Sequence, residues 1–227
     1  MCTLGSLRRF DLQLSRLGSD YGGYWIPPKL LSDFDTVGFI SVGLGRDISL
    51  DISLLEAGLV GVGIDPIEEY VAAAHSEVQH RGLQDKYNLV CRALTPHGSD
   101  LVLYPPLKGD SWRNTPNSDA KNKLVGKRFP GVSLPQIIQD FDPRIEQVIV
   151  KMDIEGIELE IIESASLINA KIKYLLIEFD VLSQIPIRSL IKRLNVIHRT
   201  RKSINVLKKE SFYLVKIEEF NFAFIRL

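Results

Sequence analysis

From residue 37 onward, short runs rich in β-branched and aromatic residues alternate with amphipathic stretches, and the series closes on two strand-like runs with only a few residues between them. That order constrains the fold more than any other feature. Alternating strands and helices need crossover connections, hence a mostly parallel sheet covered by helices on both faces, while the last pair forms an antiparallel hairpin at one sheet edge. Strands are expected over residues 38–43, 59–64, 88–93, 147–152 and 174–178, with a short extra one over 101–104, and the hairpin takes 212–218 and 222–227. Apolar residues at three-to-four spacing place helices over 48–57, 68–80, 159–168 and 186–196. The expected fold class is α/β, a doubly wound, mostly parallel sheet with a C-terminal antiparallel hairpin.

The length of 227 residues suits one such domain with a continuous core. Residues 1–36 read as an N-terminal extension packing on a domain that spans 37–227. Lys plus Arg and Asp plus Glu both total 28, so no overall field draws the chain to nucleic acid or to an anionic membrane, and a small or neutral partner is expected. The most basic stretch, residues 192–209, reads as a solvated face that begins within a helix. Cys2 and Cys91 stand alone, with no paired ligand spacing, which argues against zinc and against a disulfide framework and points to a reducing cytoplasm. Residues 1–9 lack a secretory apolar core, and no apolar run reaches the roughly 20 residues of a membrane span.

The strongest local signal is the run from Phe39 to Ile48, a buried strand entering a Gly-x-Gly turn and then a helix. Gly43 and Gly45 let the backbone approach a ligand closely, and the helix start behind them offers unpaired amides. The third position of a dinucleotide fingerprint, normally Gly or Ala, is Ile48, and Asp47 puts a carboxylate where a pyrophosphate would need to sit. A phosphate is disfavoured there; a cationic aminoacyl-sulfonium ligand is not. Asp65 closes the next strand 22 residues after Gly43, the placement of an acid that accepts hydrogen bonds from ribose hydroxyls. An adenosine-type cofactor is therefore expected against Gly43, Leu44, Gly45, Asp47, Ile48, Asp65, Pro66, Ile67 and Ala93. The alternative is that Asp47 and Asp65 simply cap helices.

The run Ser41 to Leu50, the segment Gly63-Ile64-Asp65-Pro66, the run Lys151-Met152-Asp153-Ile154-Glu155-Gly156-Ile157-Glu158 and Leu176-Ile177-Glu178 together resemble the FkbM methyltransferases, in the same order. Parallel strands followed by a hairpin are also what a class I methyltransferase sheet looks like. The resemblance implies that fold, S-adenosyl-L-methionine as methyl donor, and O-methylation of a hydroxyl on a sugar, glycan or secondary metabolite.

Lys151, Asp153 and Glu155 alternate along a strand end, so their side chains share one direction toward the ligand crevice. Asp153 or Glu155 fits the base that removes the hydroxyl proton, with Lys151 pairing within the cluster. The alternative makes Asp153 a helix cap and Lys151 a buried salt-bridge partner. Acceptor contacts are assigned to Tyr24, to Glu178 at the end of the next strand, and to Trp112 and Arg113 in the long loop 105–131, which reads as a lid. No resident metal is expected, although Asp153, Glu155 and Glu178 have the oxygen ligands a hard cation prefers. The histidines read as bland surface residues. Two rival functions stand beside this one: a nicotinamide-dependent oxidoreductase, and a non-catalytic nucleoside-binding module of the same fold.

Overall fold

The computed structural model describes residues 12–105, 125–154, 156–164, 167, 169, 171–179 and 190–227. The chain opens with a small antiparallel pair, β1 (Ser15–Leu17) and β2 (Tyr24–Ile26), then α1 (Pro28–Ser32), β3 (Val37–Val42), α2 (Ser49–Glu56), β4 (Val60–Ile64), α3 (Glu68–His80) and β5 (Tyr87–Val90). Next come β6 (Ala93–Leu94), β7 (Leu101–Leu103), β8 (Lys127–Phe129), β9 (Gly131–Val132) and α4 (Leu134–Gln139). The second half runs β10 (Gln147–Met152), α5 (Glu158–Glu163), β11 (Ile172–Glu178), α6 (Leu190–Lys209), β12 (Phe212–Glu218) and β13 (Asn221–Arg226).

Among the described residues, seven strands form the main sheet in the order β12-β13-β11-β10-β3-β4-β5. All neighbours are parallel except β13, which is antiparallel to both β11 and β12. This is a doubly wound, mostly parallel sheet with a C-terminal antiparallel hairpin, and the last strand is inserted inside the edge. Buried on both faces, β3 and β10 are nearly continuous apolar runs, as parallel central strands must be. One face packs Phe39, Ile149 and Tyr174 against Leu54 and Leu55 of α2 and Ala74 and Val78 of α3. The other packs Ile40, Val150 and Met152 against Ile161 and Ile162 of α5 and Leu207 of α6. Tyr24 and Ile26 of β2 join the first of these cores, and Tyr174 Oη donates to the Trp25 carbonyl at 2.9 Å.

Several elements depart from the sequence expectation. The strand expected over 88–93 splits: β5 stays in the main sheet, while β6 leaves it to pair with β9. The helix expected over 159–168 is shorter, starting at Glu158 and ending at Glu163. The one expected over 186–196 runs on to Lys209, because its inner face is carried by Thr200 and Ser203 as well as Leu207, which hides the apolar period. The side chains of His198, Arg199, Arg201, Lys202, Lys208 and Lys209 on α6 are exposed, and Glu163 of α5 faces Arg199 at 3.5 Å and Lys202 at 3.9 Å. Helix α4 was not anticipated; Ser133 and Gln136 begin it as a capping box, with Gln136 Oε1 accepting the Ser133 amide at 2.9 Å. The expected loop 105–131 ends in β8, which pairs with β7, and Trp112 and Arg113 lie outside the described residues. Among the described residues, no helix is long and apolar enough to cross a membrane.

Candidate cofactor and acceptor site

The strand order reverses between β3 and β10, and at such a point the loops leaving the carboxyl ends of the strands part to leave a crevice. A cavity of about 520 Å³ occupies it, walled by the ends of β3, β4, β10 and β11. The turn after β3 is forced by backbone proximity. Gly43 has φ +81°, its amide donates to the Ile64 carbonyl at 2.9 Å, and a Cβ on it would run into the Asp153 carbonyl oxygen. The Asp153 amide in turn donates to the Val42 carbonyl at 3.0 Å, so β10 and the turn are laced together.

Asp65, only 5% exposed, holds the turn from the other side. Its Oδ2 accepts the Leu44 and Gly45 amides at 3.0 and 3.3 Å, and its Oδ1 accepts the Ile67 amide at 2.8 Å. Burial pushes this carboxyl above its ordinary value, while the three amides pull the other way. Asp47 is engaged by the loop between β1 and β2: Ser19 Oγ donates to its Oδ2 at 2.5 Å, and the Ser49 amide donates to its Oδ1 at 2.8 Å. Burial opposes ionisation there, yet the bonds from Ser19 and Ser49 outweigh it and hold Asp47 below the usual range.

Of the expected cofactor residues, Gly43, Leu44, Gly45, Asp47, Asp65, Pro66 and Ile67 line the cavity. Ile48 and Ala93 are not among its wall residues. Ile48 is 9% exposed in the core beneath α2, and Ala93 packs with Leu103 and Phe129. Tyr24, Lys151, Asp153 and Glu178 do line it, whereas Glu155 lies outside the described residues. Lys151 Nζ donates to the Gly43 carbonyl at 2.5 Å and stands 3.4 Å from Asp153 Oδ2. Asp153 does not cap α5, whose first turn has no side-chain cap. Glu158 instead folds back, accepting the Ile154 amide at 3.1 Å and the Gly156 amide at 3.0 Å; it is fully buried, and burial pushes it up to about 7.

Asp20, Tyr21, Tyr70, Glu219 and Asn221, not among the site residues expected from sequence, also line the cavity. A signal for the last two existed. Because β12 runs parallel to the central strands, the turn that follows it must lie at the carboxyl edge of the sheet. Glu219 occupies that turn with φ +52°. The described wall thus carries the carboxylates of Asp20, Asp47, Asp65, Asp153, Glu178 and Glu219 against the cations Arg46 and Lys151. No group of three or more His, Cys, Asp or Glu side chains among the described residues is placed to hold a metal ion.

No family model matches the chain, and no curated protein matches it. Among solved structures it is similar to a protein from Corynebacterium glutamicum, with TM-score 0.49 and 10% identity over 87% of this chain and 77% of that one. It is also similar to the O-methyltransferase from Bacillus cereus in complex with SAH, at TM-score 0.47 and 11% identity over 88% and 78% of the two chains. Magnesium protoporphyrin IX methyltransferase from Synechocystis with bound SAH is similar at TM-score 0.44 and 14% identity, covering 88% and 79%.

Proposed function

We propose that the chain is an S-adenosylmethionine-dependent O-methyltransferase of the FkbM type, acting on a hydroxyl of a sugar, glycan or secondary metabolite. The observation that carries the cofactor reading is the engagement of Leu44 and Gly45 by Asp65. In a dinucleotide site the amides of the glycine turn face a pyrophosphate. Here a carboxylate already takes them, and Asp47 and Asp65 make the surroundings negative. Such a wall disfavours a nicotinamide dinucleotide and suits a ligand that carries a sulfonium and an ammonium. Asp65, whose two oxygens have acceptor capacity beyond three amides, would also accept the ribose hydroxyls.

Bound in this cavity, the cofactor supplies an electrophilic methyl group. The chain's own task is then to align an acceptor hydroxyl and remove its proton. Asp153 would do the second: it lines the cavity, and the Lys151 ammonium 3.4 Å away would stabilise its charge. Tyr24 and Glu178 line the same cavity and would orient the acceptor. The resemblance in sequence, not the geometry, supports the hydroxyl acceptor. Calorimetric titration with S-adenosylhomocysteine and with NAD tests the cofactor, with roughly micromolar binding expected for the first. Binding of NAD alone would sink the reading. Transfer of a labelled methyl group to a panel of sugars and secondary metabolites then tests the acceptor class.

A further inference from the structure

Methyl transfer as described above makes no use of the basic stretch of the sequence, to which the fold gives a definite place and shape. Helix α6 holds seven Lys and Arg residues and no Asp or Glu, while the whole chain balances 28 cations against 28 acids. Overall neutrality thus hides a polarised molecule, with the excess acid elsewhere. The 20 residues of α6 make a rod about 30 Å long. Thr200, Ser203 and Leu207, three and four apart, face inward, and Leu207 joins the core that holds Ile161 and Ile162 of α5.

The outward face carries two adjoining stripes at helical spacing. One holds Leu194, Ile197, Arg201 and Lys208, the other His198, Lys202, Asn205 and Lys209, and all eight residues are exposed. Leu194 is 57% and Ile197 39% exposed, in line with the cations. Glu163 of α5 answers Arg199 at 3.5 Å and Lys202 at 3.9 Å, one carboxylate shared between two cations, so the face stays strongly positive.

Solvent accommodates the cations of such a face and gives nothing to the two branched apolar side chains set among them. The phosphate backbone of a nucleic acid is met by charge, and Leu194 and Ile197 gain little from it. A membrane surface uses both kinds of side chain, because lipid phosphates attract the cations and apolar groups sink into the boundary between headgroups and acyl chains.

We propose that the outward face of α6 docks on an anionic membrane surface, with Arg201, Lys202, Lys208 and Lys209 against lipid phosphates and Leu194 and Ile197 in the headgroup boundary. This does not depend on the cofactor reading. Helix α6 leads into β12, which runs parallel to the central strands, and packs against it. The helix therefore runs back along the sheet, and its Leu194 end lies toward the carboxyl edge that carries the cavity. Docking in this way keeps the crevice near the lipid surface.

The test is co-sedimentation of the full chain with vesicles of equal parts phosphatidylcholine and phosphatidylglycerol, and with phosphatidylcholine vesicles alone, at low and high salt. Binding is expected on the anionic vesicles only, and weakens as salt screens the cations. The triple variant Arg201→Ala, Lys208→Ala and Lys209→Ala should bind about 100-fold more weakly. The double variant Leu194→Ser and Ile197→Ser should lose about tenfold. Every side chain changed is exposed, so both variants should melt as wild type does. Wild type that stays in solution beside anionic vesicles at low salt overturns the proposal, as does either variant binding as tightly as wild type. A chain that ignores vesicles and binds a structured RNA through the same three cations assigns the face to nucleic acid and overturns it too.

Discussion

Asp65 Oδ2 accepts the Leu44 amide at 3.0 Å across a separation of 21 residues, and the neighbouring Gly45 amide bonds to the same oxygen. One carboxylate therefore fixes the shape of the turn and, in the proposed site, faces the cofactor ribose. Asp65→Ala should weaken S-adenosylhomocysteine binding by about 1.5 to 3 kcal/mol, the scale of lost hydrogen bonds to a charged acceptor. It should also lower the melting temperature, because two turn amides are left without their partner. Calorimetry and thermal melting read the two effects, and equal affinity in mutant and wild type would remove Asp65 from the ribose site.

The two glycines of the turn should respond differently to alanine. Gly45 has φ +54° with open space around it, so Gly45→Ala costs only the left-handed backbone, about 1 to 2 kcal/mol. At Gly43 the same strain adds to a collision with the Asp153 backbone, and relief requires moving β10 away. Gly43→Ala should therefore destabilise by about 4 kcal/mol or more. Denaturant unfolding of the pair measures the difference, and similar costs would mean that β10 yields easily.

Asp153→Asn keeps the size of the side chain but cannot take a proton. If Asp153 is the base, turnover should drop by about 100-fold or more while donor binding and folding stay near normal. Glu155→Gln is the companion variant. Nearly full turnover in both would assign the proton to another route.

Glu158 makes stability depend on pH with a definite sign. Its folded value is raised from 4.5 to about 7, so the folded state holds a proton that the unfolded chain releases. Stability from this group is complete below pH 4.5 and is lost as pH rises through about 7, by up to about 3 kcal/mol. Asp51, raised to about 6, acts in the same direction. Glu158→Gln can still accept the Ile154 and Gly156 amides and should flatten the curve between pH 5 and pH 8. An unchanged slope in urea melts would place the loss elsewhere.

The local sequence determined the main sheet and the outline of the site. Strands β3 and β10 follow from short, nearly continuous apolar runs, since burial on both faces leaves few polar positions, and β12 and helix α3 follow from periodicity, since burial on one face stamps its repeat onto neighbouring residues. Gly43, Gly45, Asp65, Lys151 and Asp153 were legible because a tight turn and strand ends need those residue types at those spacings. What each side chain holds was decided only by tertiary structure. The Lys151 ammonium meets the Gly43 carbonyl across 108 residues of chain, a partnership that exists because β10 was inserted beside β3 in a particular register. The same holds for the turn carrying Glu219 at the crevice edge, and for Ile48 and Ala93, which point into cores rather than the cavity. Periodicity records how deeply a residue is buried; the partner it meets there is set by strand order and register, which no short stretch of sequence contains.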